Sequence, residues 1–166
     1  MGSRQNEVTQ IHYDNKTIMN LVKQNCRRKW ETKIKEMITN THYGRINPRN
    51  HHETYMRDKN RALDVCLTRL RLGHTRLKEH LNRLRMENDP NCRFCGTQPE
   101  SIEHILLICP QLQNHQQKLK DNLRKENIPT NLETIIGTRN MNQRQAKIVA
   151  ANLKSYIKRT NLIEII

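Results

Sequence analysis

The feature that most constrains this chain is a compact set of potential metal ligands. These residues follow the spacing Cys92-x2-Cys95-x8-His104-x4-Cys109. Two cysteines separated by two residues fit a turn that directs both thiolates at one metal ion, and Gly96 can adopt the left-handed conformation that such a turn needs. Four ligands of this type, with no position left for water, are typical of a structural site rather than a catalytic one. The sequence therefore predicts one structural Zn²⁺.

Local signals also predict how the second pair of ligands meets the first. Ser101 is a suitable N-cap, so residues 102–107 are expected to form a short helix with His104 in its first turns. Cys109 lies five residues further on, about 140° around an ideal helix, and would point away from His104 if the helix continued. Pro110 disfavours the α conformation of the residue before it, so we expect the helix to unwind at Cys109. The alternative to a metal site is that residues 92–109 contain only buried thiols and a surface histidine.

The other cysteines and histidines form weaker combinations. Cys26 and Cys66 fall within apolar stripes and are expected to be core thiols. Two further metal sites can be imagined, although packing and solvation explain these residues better: Cys66 with His74 and His80, and His51–His52 with Glu53. The N-terminal segment has no apolar stretch that could act as a secretory signal, so we expect an intracellular location, nuclear or cytoplasmic, and thiols rather than disulfides.

Apolar residues recur three or four positions apart along most of the chain, and no alternating strand pattern of useful length is present. The prediction is an all-α fold, a small helical domain with the zinc knuckle embedded at residues 92–109. Residues 1–50 are expected to form a basic N-terminal helix and linker, and residues 51–166 the helical domain. Helices are predicted from Asp14 to about Ile38, from about Asp58 to Gly73, from Thr75 to Asp89, after Pro110, and from about Asn142 to Arg159.

The charge balance indicates a polyanionic partner. Lys and Arg number 30 against 16 Asp and Glu, for a formal net charge of +14. Basic residues are dense before and inside the knuckle, which favours RNA or DNA binding over an ordinary solvated face. Phe94 and Tyr55 are nearby aromatics that could stack on a base, although Phe94 could equally pack under the zinc turn. The candidate nucleic-acid contacts are Arg69, Arg71, Arg76, Lys78, Arg83, Arg85, Arg93 and Phe94.

Several function classes are not supported by any motif. There is no adjacent pair of aspartates, no glycine-rich phosphate loop and no nucleophile elbow. A zinc deaminase requires His-x-Glu ahead of Pro-Cys-x-x-Cys, whereas here the cysteine pair comes first. No run approaches the ~18 apolar residues of a membrane span. We therefore expect neither an enzyme, nor a small-molecule substrate, nor a membrane partner.

Two stretches of sequence resemble a known family. LTRLRLGHTRLKEHLNRL, followed by CRFCGTQPESIEHILLICP, is similar to the region after the ribonuclease H domain in insect-type non-LTR retrotransposon polyproteins. Those chains show Arg-Leu-Arg-x-Gly-His-Thr and then a Cys-x2-Cys…Glu-His-x4-Cys-Pro zinc knuckle. The segments RRKWETKIKE…GRINP, NLETIIG and SYIKRTNLIEII extend the similarity over most of residues 16–166.

The resemblance implies a C-terminal module of a reverse transcriptase that holds template RNA or target DNA without catalysis of its own. It also implies that Cys92, Cys95, His104 and Cys109 are zinc ligands. The polymerase, endonuclease and ribonuclease H segments of the family have no counterpart in this sequence, which is consistent with a truncated or domesticated element. The alternative is a protein-interaction module in which zinc is a scaffold and the apolar tail Leu162–Ile166 docks on a partner.

Overall fold

The computed structural model describes residues 14–47, 56–137 and 141–166. Within these ranges every regular element is helical, and the only β-type pairing is an isolated bridge between Asn91 and Pro99. The all-α prediction is therefore confirmed. The elements are α1 (Asn15–Ile38), α2 (His42–Ile46), α3 (Arg61–Leu72), α4 (Lys78–Arg83), a π-helical turn (His104–Ile108), a 3₁₀ turn (Pro110–Leu112), α5 (Gln113–Arg124), α6 (Leu132–Ile136), α7 (Gln143–Arg159) and α8 (Leu162–Ile165).

The chain divides into two compact units, Met1–Met37 and Ile38–Ile166. This division lies before α2, whereas the predicted domain boundary lies at residues 50/51. Helix α2 was also not expected, because residues 39–57 show no helical pattern. It begins where the Thr41 hydroxyl oxygen accepts from the Gly44 amide at 3.0 Å, and it packs against α3 and α6 of the second unit. The predicted features at residues 51–55, namely His51, His52, Glu53 and Tyr55, lie outside the described residues.

The first unit contains α1, which begins as predicted. The Asp14 carboxylate accepts from the Thr17 amide at 2.7 Å and caps the helix. All of α1 lies within the described residues, and none of its residues is buried. Cys26 is exposed, so its prediction as a core thiol is wrong. The physical reason is that, within the described part of the first unit, residues 14–37, there is no second element against which the apolar stripe could pack.

One face of helix α3 packs in the core of the second unit. The Asn60 side chain accepts from the Leu63 amide at 3.1 Å, and the helix ends at Gly73, whose φ is +75°. Leu63, Leu67 and Leu70 are buried as predicted. Ala62 is exposed, although its spacing from Cys66 predicts an inward position. The buried side of the helix instead includes Asp64, whose carboxylate accepts from Arg57 Nε at 2.9 Å.

Helix α4 is shorter than predicted. It begins at Lys78, with Leu77 rather than Thr75 at the N-cap, and it ends at Arg83. Arg85 has a φ of +60° and reverses the chain. Leu84 is therefore 52 % exposed. Its spacing from Leu77 and Leu81 predicts a position facing the core, and that prediction is wrong.

The core of the second unit takes buried side chains from α2, α3, α5, α6, α7 and α8 and from the π-helical and 3₁₀ turns between α4 and α5. Helix α7 starts with a capping box, in which the Asn142 and Gln145 side chains each accept from the other residue's backbone amide. Leu162 and Ile166 are buried in the same core. These two side chains of the apolar tail are thus occupied within the chain and do not form a free docking surface. No helix of the described ranges is both long and apolar enough to cross a membrane.

Candidate metal centre

The structure brings the four predicted ligands together. One ligand atom from each of Cys92, Cys95, His104 and Cys109 lies within 4.8 Å of the other three. The sulfurs of Cys92 and Cys109 are 3.9 Å apart, and the Cys95 sulfur is 3.3 Å from His104 Nε2. Tetrahedral zinc with ordinary bond lengths requires about 3.8 Å between two sulfurs and about 3.6 Å between sulfur and nitrogen. The group therefore has the composition and spacing to bind one metal ion.

The cysteine turn has the geometry that its sequence predicts. Gly96 donates its amide to the Cys92 carbonyl at 2.7 Å and has a φ of +69°. The Cys92 amide in turn donates to the Gln98 carbonyl at 2.7 Å. These two bonds close a short loop and direct both sulfurs to the same side.

The segment that carries His104 differs from the expected α-helix. Ser101 does cap it, since its hydroxyl oxygen accepts from the His104 amide at 2.9 Å. From His104 to Ile108, however, the backbone forms a π-helical turn, and the Cys109 amide donates to the His104 carbonyl at 2.7 Å. Cys109 itself leaves the helix with a ψ of 119°, as Pro110 predicts. The wide turn places residues five apart on neighbouring positions, so it brings the Cys109 sulfur beside His104.

Two buried side chains hold the π-helical turn against the core. The Ile105 carbonyl accepts from Gln116 Nε2 at 3.1 Å and from the Tyr156 hydroxyl at 2.6 Å. Burial raises the pKa of Tyr156, so its hydroxyl remains a proton donor at neutral pH. Because a buried backbone carbonyl without a partner costs about 1–3 kcal/mol, these contacts from α5 and α7 stabilise the irregular turn that positions the ligands.

The imidazole of His104 is oriented for metal binding. Its Nδ1 lies 3.1 Å from Gln98 Oε1, which accepts the Nδ1 proton in the tautomer that leaves Nε2 free to coordinate. A hydrogen bond of this kind fixes the ring and the tautomer in many metal sites. Gln98 was not among the predicted site residues, because nothing in the spacing of the ligands shows which side chain faces Nδ1.

The thiols differ in their readiness to ionise. Hydrogen bonds from the Thr97 side chain and amide, followed by contacts with His104 and Cys92, lower the pKa of Cys95 to about 6. Burial raises the pKa of the Cys109 thiol to about 11. Since metal binding requires thiolates, loading this site releases protons and is favoured as the pH rises.

A buried carboxylate connects the centre to α4. Glu100 is completely buried, and its oxygens accept from the Arg93 amide at 2.7 Å and from the Lys78 amide at 3.2 Å. The Arg93 guanidinium also forms an ion pair with the Glu100 carboxylate, with a nitrogen–oxygen distance of 2.8 Å. Sequence reasoning missed this residue, because the pairing of Arg93 with Glu100 appears only when the turn folds back on itself.

Several predicted nucleic-acid contacts have partners within the chain. Arg69 donates to the Ile166 carbonyl at 2.7 Å, and Arg76 donates to the Glu164 carbonyl at 3.1 Å. The guanidinium of Arg71 lies over the Tyr43 ring, 5.7 Å from its centroid.

The remaining candidates lie on or near α4 and the cysteine turn. Lys78 pairs with Asp89 at 3.0 Å, Arg93 with Glu100, and Arg83 with His80 Nδ1 at 2.7 Å. Arg83 and Arg85 are exposed. Phe94 is half-buried and packs against the core, in line with the alternative of packing under the turn.

The further metal site considered for Cys66, His74 and His80 is not formed. Cys66 is buried, and burial raises the pKa of its thiol to about 12, which agrees with its prediction as a core thiol. The rings of His74 and His80 contact each other edge to face, with centroids 5.4 Å apart. Across residues 14–47, 56–137 and 141–166, the only group of three or more potential ligands is the Cys₃His cluster.

Comparison with known proteins found no relative. No protein-family model, no curated protein and no solved structure matches this chain.

Proposed function

We propose that this protein is a zinc-stabilised nucleic-acid-binding module, similar to the C-terminal part of a non-LTR retrotransposon reverse transcriptase. In this proposal it holds template RNA or target DNA and carries out no catalysis of its own. The observation that carries the proposal is the contact of Glu100 with both Arg93 and the Lys78 amide. Through it, a metal at the cysteine turn would fix the start of α4, which carries Lys78 and Arg83 and leads to Arg85.

Zinc is the ion that the donor set favours. Three cysteine sulfurs and one imidazole nitrogen form a soft, tetrahedral set that selects Zn²⁺ over harder ions such as Mg²⁺ or Ca²⁺. All four positions are protein ligands, so the ion supplies folding free energy rather than a site for water or substrate.

The nucleic-acid part of the proposal is supported by charge. The formal net charge of +14 attracts phosphates whatever the base sequence. Arg83, at the end of α4, and Arg85, just after it, present their side chains to solvent. We therefore assign these two residues as the principal phosphate contacts of the second unit.

A salt titration tests this function. The zinc-loaded full chain is mixed with labelled RNA or duplex DNA, and the affinity is measured between about 50 and 200 mM salt. If about five phosphates are contacted, the slope of log K against log salt for duplex DNA is ~−4.5. Replacing Arg83 and Arg85 with Gln should make this slope shallower by about 1.8. The matched control is the same change at Lys118 and Lys125, two exposed cations in or next to α5, which should leave the slope as it is.

The second candidate, a protein-interaction module, is favoured by one feature of the surface. Leu84, Met86 and Ile108 are 52 %, 72 % and 51 % exposed, and all three lie near the cluster in sequence. If the zinc-loaded chain bound neither RNA nor DNA at about 50 mM salt, where phosphate contacts are strong, this candidate would replace the first.

A further inference from the structure

We propose that α1 is a binding surface for single-stranded nucleic acid, with Trp30 as the side chain on which a base stacks. The proposal extends the function proposed above to a second surface of the same chain. It begins from exposure, because Trp30 is 57 % exposed on a helix that buries none of its residues. A tryptophan has a large, rigid apolar face, and tryptophan is enriched at contact surfaces.

Cations surround this tryptophan. With about 100° between successive residues, the face within about 60° of Trp30 contains four of them and no acidic residue. The four cations are Lys16, Lys23, Arg27 and Lys33. The two acidic residues of α1, Glu31 and Glu36, lie about 100° and about 120° from Trp30. The same arc also contains the apolar residues Met19, Cys26, Ile34 and Met37. The face therefore combines an aromatic ring with positive charges, which is the combination that single-strand-binding proteins use.

The ion pairs of α1 do not neutralise this face. Arg27 lies 3.8 Å from Glu31, but their side chains are 81 % and 61 % exposed. A pair this exposed contributes little stability, so a phosphate competes with it readily.

The charge of this face and the order of its apolar residues favour a single strand over a duplex, a second copy of the chain or a membrane as its partner. A duplex shields the faces of its bases, whereas a single strand offers them for stacking. A second copy of the chain would bring two rows of cations together. An anionic membrane requires one continuous apolar face. On the face around Trp30, the apolar residues Met19, Cys26, Ile34 and Met37 are instead interrupted by the four cations.

The sequence provides a direct probe, because Trp30 is the only tryptophan in the chain. Oligouridine or oligothymidine of about twenty nucleotides should quench its fluorescence with saturation, while a duplex of equal length quenches it little. Trp30→Ala should weaken binding to the single strand about fivefold or more, and Trp30→Phe should recover part of the lost affinity. The matched control is Leu21→Ala on the opposite side of the helix, where the side chain is 50 % exposed; its affinity should equal that of the parent.

A charge test accompanies the stacking test. The pair Lys23→Gln and Arg27→Gln should weaken binding more than Arg28→Gln and Lys29→Gln, which remove the same charge from other sides of α1. Circular dichroism of each variant checks that α1 keeps its helix.

The outcomes separate this inference from the proposed function. If the chain binds RNA with no change in Trp30 fluorescence, and Trp30→Ala binds as tightly as the parent, the inference is wrong while the proposed function stands. If binding is lost in Trp30→Ala but unchanged when Arg83 and Arg85 are replaced, the α1 surface remains the assigned binding site. Arg83 and Arg85 are then rejected as phosphate contacts. Fluorescence that responds only to anionic phosphatidylglycerol vesicles, or only to protein concentration, would assign the face to a membrane or to a second copy and overturn the inference.

Discussion

The amide of Cys109 donates to the carbonyl of His104 at 2.7 Å, across five residues of backbone. An α-helix would connect residues four apart and would turn these two side chains away from each other. The single wide turn thus joins the two C-terminal ligands of the cluster, and Gln116 and Tyr156 satisfy the Ile105 carbonyl inside it. Local backbone geometry and core packing together create the site.

The first prediction concerns metal content. The purified full chain should contain one zinc ion per molecule, and Cys92→Ser or His104→Ala should reduce this content, because each change removes one of the four protein ligands of a closed structural site. Elemental analysis measures the content, and thermal melting with and without a chelator should show a lower Tm for the metal-free chain. Cys26→Ser is the matched control, because Cys26 is an exposed thiol outside the cluster. A chain that melts identically with and without zinc would reduce the site to an accessory role.

The second prediction concerns the residue that orients His104. Gln98→Leu removes the acceptor for the Nδ1 proton and should weaken zinc affinity about 10–100-fold, without changing the number of ions bound. Competition with a chromophoric chelator measures the affinity. Gln117→Leu, a change at an exposed glutamine of α5, is the control. Equal affinities for the two variants would show that the ring is held by packing alone.

The third prediction separates structural from binding arginines near the cluster. Arg93→Gln leaves the buried Glu100 carboxylate without its main partner. Because the Arg93 side chain is 35 % exposed, we expect a loss of about 2–3 kcal/mol in the free energy of unfolding, below the usual cost of breaking a fully buried pair. Arg85→Gln should leave this free energy within about 0.5 kcal/mol of the parent and weaken binding to RNA instead. Denaturant unfolding and RNA titration of both variants check the contrast, and a stable Arg93→Gln would contradict it.

The fourth prediction concerns pH. Burial lowers the pKa of His42 and outweighs the opposing hydrogen bond between its Nε2 and the Leu70 carbonyl at 3.0 Å, and the charge of Arg45 lowers the pKa further. With the folded pKa below the unfolded value of about 6.5, the unfolded chain binds more protons in this range. Stability contributed by neutral His42 is therefore present above about pH 7 and is lost as the pH falls below about 6.5.

The His42→Gln variant tests this assignment. Its Tm should fall less than that of the parent between about pH 7 and 5. Loss of metal at low pH affects both proteins, so the difference between the two curves isolates His42. Parallel curves would show that another group is responsible.

Much of the metal centre could be predicted from the sequence, because the signals are local. The ligand spacing identified the four side chains, Gly96 predicted the left-handed turn, and Ser101 and Pro110 predicted where the helix begins and ends. Each signal acts through backbone conformation within a few residues, so it does not depend on what the rest of the chain does. The helical nature of the fold follows in the same way from three- and four-residue spacing.

Only the tertiary structure decided what those local patterns face. The stripe of α1 has helical spacing but remains exposed, whereas Leu162 and Ile166, which look like a free tail in sequence, are buried. Glu100 and Arg69 are charged residues in a basic chain, and their roles depend on Arg93 and on the Ile166 carbonyl, which reach them only after folding. Periodicity specifies which side chains share a helix face. It carries no information on whether core, solvent or a distant backbone carbonyl lies opposite, because that is decided by contacts between residues far apart in the chain.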